Sequence, residues 1–248
     1  MKLVSITSPE FTLRNGVGNG IEWHPAYSLV ETRSRRSSRS GGCFCCARSF
    51  GMLHCAWLID FSKTGITAMH DFESLLSGGH HNSLGHTIEV VELVLADRKL
   101  LANLLDCYRS SDELVRLRVS NALKRVTIAQ PTWVADYIED LLSWIADIDQ
   151  PSTQWTLAIV FDLLRGQMGR EQFARATGIV KRNLADHDDW IVLNNSMKTL
   201  TKWSAHVDGL AEWMLPHLHR LASDTRKSVA ANARKSLKSL NAQSLMPG

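Results

Sequence analysis

The chain has 248 residues, 44% of them hydrophobic, enough for one sizeable core or one elongated array. Its formal net charge of +3 is unevenly placed. Residues 1–68 hold eight Lys/Arg against four acids, which leaves 20 basic and 21 acidic residues for 69–248. The C-terminal part is therefore close to neutral. Bulk electrostatics do not equip it for nucleic acid, although a local patch could.

Residues 1–68 contain "NGVGNG" and "SRRSSRSGG", which are loop signals, and keep no apolar period of 3.6 or 2.0. The texture changes near Met69, itself a possible start codon. We therefore expect residues 1–75 to be a disordered or mis-annotated N-terminal extension, 76–242 to be the folded domain and 243–248 a flexible tail. "MKLVSITSPEFTLRNG" is too polar for a secretory signal. The uncharged run "SFGMLHCAWLI" is too short to span a bilayer. These features predict a cytoplasmic chain without membrane contact. Cys43, Cys45, Cys46 and Cys55 crowd together far from Cys107, which does not suggest a disulfide framework.

From residue 87 onward the elements read as helices. "TIEVVELVLAD" (87–97) comes first. "RKLLANLLDCYR" (98–109) is followed by "SDELVRLRVSNALKRV" (111–126). The second of these recurs. Val115, Trp155, Val192 and Val229 align at spacings of 40, 37 and 37. Val119, Ile159, Ser196 and Ala233 follow four residues on, and Leu123, Leu163, Leu200 and Leu237 eight on. Offsets of 0, +4 and +8 mark one helix face. Between the copies lie the helices predicted at 132–148, 169–185 and 207–222. Ser111-Asp112, Pro151-Ser152, Asp188-Asp189 and Ser223-Asp224 supply start signals, since Ser and Asp accept from free N–H groups and Pro needs no partner there.

Helix pairs repeating every 37–40 residues mean an α-solenoid. "DELVRLRVSNAL" (112–123) resembles a HEAT repeat of the armadillo-like class: Asp at the inter-helix turn, Val-Arg early in the second helix, small and apolar residues on the packing face. In later copies no Arg follows Trp155 or Val192. The stretch from "LLSGGHHNSLGHTIEVVELVLAD" onward is also similar to small bacterial HEAT-repeat proteins of unassigned role. The resemblance implies an all-α, short right-handed solenoid of about four pairs whose concave face binds an extended partner. Helix phase then places Arg116, Ser120, Lys124, Thr156, Leu193, Met197, Lys198 and Arg234 outward. Arg116, Lys124, Lys198 and Arg234 are the candidate binding residues.

Other chemistry is weaker. His80, His81 and His86 with Glu89 lack a completing set for a metal, and "CFCC" lacks the paired spacing of structural zinc. "DHDDW" (186–190) reads better as a helix cap than as a hydrolase dyad. Some HEAT-like solenoids are DNA glycosylases that use Trp and Asp, and Asp136, Asp140 and Asp162 are present. The acidic stretch around them opposes phosphate binding, and the tryptophans fit core roles. Arg220, Arg226, Lys227, Arg234, Lys235 and Lys238 make the C-terminus basic. We expect a non-catalytic scaffold with a protein partner, no cofactor and no metal, and nucleic-acid binding through the basic C-terminal helix as the alternative.

Overall fold

The computed structural model of the chain describes residues 71–244, which form eleven α-helices and no strand among the described residues. The N-terminal cysteine cluster, Met69 and the tail 245–248 lie outside the described residues. α1 (Phe72–Leu76) is N-capped by the Asp71 carboxylate, and α2 (Thr87–Ala96) follows a glycine-rich loop. The pairs come next. α3 (Leu100–Asp106) precedes α4 (Glu113–Ala129), and α5 (Pro131–Ala135) with α6 (Ile138–Leu142) precedes α7 (Pro151–Leu164). α8 (Arg170–Asp186) precedes α9 (Trp190–Trp203), and α10 (Leu210–Ala222) precedes α11 (Lys227–Ser244).

The second helices start at 113, 151, 190 and 227, steps of 38, 39 and 37 residues. α4 packs on α7, α7 on α9 and α9 on α11, while α8 packs on α9 and α10 on α11. Each start is set locally. Asp112 accepts from Leu114 N, Asp189 from Ile191 and Val192 N, and Asp224 from Arg226 N. Pro151 opens α7 without a side-chain cap. Long-range polar ties join successive pairs: Arg116 donates to Gln150 Oε1, and Arg226 to Asp188 O.

Three expectations change. Phe72 and Leu76 are buried in the core, so the packed region begins ahead of the expected boundary at 76. The stretch 132–148 is two short helices rather than one. Val134, Ile138, Leu141 and Ile145 keep helical spacing and are buried, but the backbone unwinds at Asp136–Tyr137 and again at Ser143. This segment is rich in aromatic, β-branched and Asp residues, which are weak helix formers.

The third change is register. In α7 the buried column is Thr153, Leu157 and Phe161, not Trp155, Ile159 and Leu163. Counted from the helix starts, these residues match Val115, Val119 and Leu123 of α4 and Val192, Ser196 and Leu200 of α9. Trp155 and Ile159 are half-buried and Leu163 is exposed, on the opposite, solvent-facing stripe.

Candidate functional site

A second helix has neighbours on three sides: the preceding second helix, the next one and its own first helix. Its buried arc is therefore much wider than the stripe of a surface helix. In α9, Val192, Leu193, Asn194, Ser196, Met197, Thr199, Leu200 and Trp203 are all buried. What faces solvent is a narrow stripe at i, i+3 and i+7: Asn195, Lys198 and Lys202. On α11 the same offsets hold Asn232, Lys235 and Ser239; on α4 and α7 the solvent stripe begins one turn later, with Asn121, Lys124 and Ile128 and with Ile159, Asp162 and Leu163.

A cavity of about 320 Å³ opens on these stripes where α7, α9 and α11 adjoin. Ile159 and Asp162 line one side, Asn195, Lys198 and Lys202 the middle, and Asn232, Lys235 and Ser239 the far side. Its charge is set by one pairing. Asp162 Oδ2 accepts from Lys202 Nζ, and Asp162 Oδ1 accepts from Trp203 Nε1 at 3.1 Å. Lys202 is thereby neutralised. Lys198 and Lys235 are exposed and have no carboxylate partner among the described residues. Asn195, also in the lining, donates to Ile191 O at 3.0 Å.

The candidate binding residues separate. Lys198 lies in the groove. Arg116 does not: its guanidinium is spent on Ser110 O and Gln150 Oε1, both at 2.6 Å, tying the first pair to the second. Lys124 lies over the Trp155 ring, 5.1 Å from its centroid, and burial lowers its pKa, with a further push from Arg125. It belongs to the same stripe but one helix further along. Arg234 turns the other way and donates to Ala222 O of α10 at 3.0 Å. The groove cation of α11 is its neighbour, Lys235. Ser120, Thr156, Leu193 and Met197 are buried, not outward, because adjoining helices cover that side too. Ser120 instead meets the Tyr108 hydroxyl at 3.0 Å. Asn232, Lys235 and Ser239 had a signal in the sequence: the same offsets from the start of α11 as Asn195, Lys198 and Lys202 have from the start of α9.

The remaining candidates resolve into local structure. His86 Nδ1 meets Glu89 Oε2 at 2.8 Å, His80 Nδ1 accepts from Asn82 N, and no three metal-type side chains cluster among the described residues. Asp189 caps α9, while His187 Nδ1 accepts from Asp189 N. The three carboxylates of the glycosylase alternative are held by neighbours: Asp136 by Arg98, Asp140 by Trp144 Nε1, and Asp162 as above. Trp203 is fully buried, 4.9 Å from Phe173 in an edge-on contact, but Trp190 is about half exposed.

A second hollow, near residues 146–149 and 182–187, is bordered by polar ties. Gln154 Nε2 donates to Ala146 O and Ile148 O, Arg182 donates to Ala146 O, and Asn183 donates to Gln154 Oε1. These bonds hold the loop before α7. Among the described residues no helix is long and apolar enough to cross a membrane. Comparison with known proteins gives no matching family model, no matching curated protein and no matching solved structure.

Proposed function

We propose that the chain is a non-catalytic protein-interaction module: a short right-handed HEAT-like α-solenoid whose second helices present a concave face to a protein partner. The observation that carries this reading is the groove across α7, α9 and α11, where Ile159 lines one side and Lys198 and Lys235 have no carboxylate partner among the described residues. The steps of 38, 39 and 37 residues and the serial packing of α4, α7, α9 and α11 support the repeat architecture. A cation free of an internal partner loses little on leaving water when a partner's carboxylate replaces that water.

The test is capture of partners by the tagged full-length chain from native lysate, in wild-type and Lys198→Glu/Lys235→Glu forms, with and without nuclease and at two salt concentrations. A protein held by the wild type after nuclease and lost by the double variant, with helicity unchanged, is the expected result. Protein capture that ignores the double variant refutes the groove as the binding face.

A second reading has one observation in its favour. α11 carries Lys227, Arg234, Lys235 and Lys238 and no carboxylate over its 18 residues. Recovery of nucleic acid alone, and only at low salt, would transfer the function to this helix.

A further inference from the structure

The groove has a periodic inner order. Counting from each helix start, Lys235 of α11, Lys198 of α9 and Ile159 of α7 occupy one column. Asn232 and Asn195 occupy the column one turn before the two lysines, so the same Asn–Lys pair occurs twice in succession. The third step of the column is apolar. The next position of the column, on α4, is Asn121, and on α7 itself the half-buried Trp155 and the exposed Leu163 lie one turn to either side of Ile159. A ligand crossing the helices therefore meets cation, cation and apolar surface in order.

Packed helices lie about 8–10 Å apart. A polyproline-type chain rises about 3.1 Å per residue with three residues per turn, so positions i and i+3 share a face about 9 Å apart. A β-strand does not fit this step, because its i and i+3 side chains point to opposite faces. The two asparagine side chains add acceptor and donor groups for a backbone whose amides are unpaired, which is the condition of a polyproline-type chain. Nucleic acid fits less well. Its backbone charges are continuous, whereas this column ends after two cations at Ile159, beside Asp162.

We propose that the groove takes an acidic peptide in polyproline-type conformation with the pattern acidic-x-x-acidic-x-x-apolar, read in either chain direction. Its carboxylates meet Lys235 and Lys198 and its apolar side chain meets Ile159. This inference rests on the interaction-module reading and names the partner chemistry.

The test is fluorescence anisotropy on the full-length chain with labelled synthetic peptides. The probe is Glu-Pro-Ser-Glu-Pro-Ser-Leu; a second peptide has the same residues with the two Glu adjacent; oligo-dT of matched length is the third ligand. The spaced peptide should bind tightest. Lys198→Glu and Lys235→Glu should each weaken it about tenfold or more. Ile159→Asp should weaken it too, and Ile159→Asp should lose less against a probe with Ala in place of Leu. Arg170→Glu, an equal charge change at an exposed site on α8, should leave binding unchanged. Equal affinity for the adjacent-Glu peptide, tighter binding of oligo-dT, or equal loss in Arg170→Glu would each overturn the proposal. If the Lys198→Glu/Lys235→Glu chain loses a captured lysate protein while neither peptide binds the wild type, the peptide pattern is wrong and the module reading survives.

Discussion

Arg118 is the most demanding residue in the molecule. It is 2% exposed and has no carboxylate partner among the described residues, yet its guanidinium donates to Leu76 O at 2.6 Å and Gly78 O at 2.7 Å. Weaker bonds reach Ser77 O, Ser83 O and His80 O at 3.2, 3.3 and 3.4 Å. One side chain of α4 therefore holds the C-terminal end of α1 and the loop that leads to α2. Arg118→Met keeps the buried stem and deletes all five bonds. A hydrogen bond to a charged group is worth about 1.5–3 kcal/mol. Five such terms cannot simply be added. Ser77, His80 and Ser83 are exposed, so their weakly bonded carbonyls regain water, and the variant no longer buries a cation. The buried Leu76 carbonyl and the strong Gly78 bond remain as the main loss, for a net cost of about 2–4 kcal/mol. For a domain of this size that lowers Tm by roughly 5–15 °C. Urea denaturation followed by circular dichroism measures the cost, and hydrogen exchange locates it: amides of 72–96 should exchange faster while those of α9 and α11 stay protected. Arg118→Lys should fall between, because an ammonium offers three donors instead of a planar fork. A cost below about 1 kcal/mol, or loss of protection spread evenly over all helices, refutes the pinning argument.

Gly85 has φ +51°, and a Cβ there would stand 2.8 Å from Arg118 Cζ. Gly85→Ala should destabilise by about 1–2 kcal/mol through both strain and displacement of the guanidinium, and by less in an Arg118→Met background, where the strain remains and the displacement does not, a coupling that a double-mutant cycle reads. The Asp224 carboxyl is held down to about 2 by its hydrogen bonds from Arg226. A depressed carboxylate pKa contributes stability that is present above the unfolded value and lost as pH falls through the folded one. Acidification from about pH 4 to pH 2 should therefore cost Asp224→Asn less stability than the wild type, as read from thermal melts across that window. Burial pushes the Cys107 thiol up to about 11, with Glu73, Asp106 and Asp71 adding to the effect. Peptide mapping after brief alkylation at neutral pH should find Cys107 unmodified in native protein and labelled after denaturation. Trp203→Phe removes the indole donor to Asp162 and leaves a void beside Phe173, for a cost of about 1–3 kcal/mol in the same urea assay.

The second helices α4, α9 and α11 were legible because their apolar spacing and their Asp starts agree. Asp112 and Asp189 cap the helices they were expected to cap. The glycine loop around Arg118 was not legible, since an Arg inside a helix usually reads as a solvated position. Nor was α1, which is only five residues long and is fixed by contacts with α2 and α4 rather than by its own period.

The register of α7 explains how the site was partly missed. The second copy offers two candidate columns: Trp155, Ile159 and Leu163, all large and apolar, or Thr153, Leu157 and Phe161, which begins with a hydroxyl. Apolarity alone favours the first. The helix start decides for the second, because Pro151 fixes position one and Thr153 then matches Val115 and Val192. The polar seam does not satisfy that Thr: the Thr153 and Thr156 hydroxyls, Asn194 Oδ1 and the Ser196 hydroxyl are buried without a hydrogen-bond partner among the described residues, while Thr199 donates to Ala158 O at 3.0 Å. Polar residues thus occupy the α7–α9 interior while Trp155, Ile159 and Leu163 are turned to solvent. That inversion costs stability on both sides, through buried hydroxyls and through hydrated apolar surface. It is concentrated on the helices that border the groove. A ligand that covers Ile159 would recover part of the second cost, which is a physical reason for the proposed groove to lie where α7 departs from the pattern of α4 and α9.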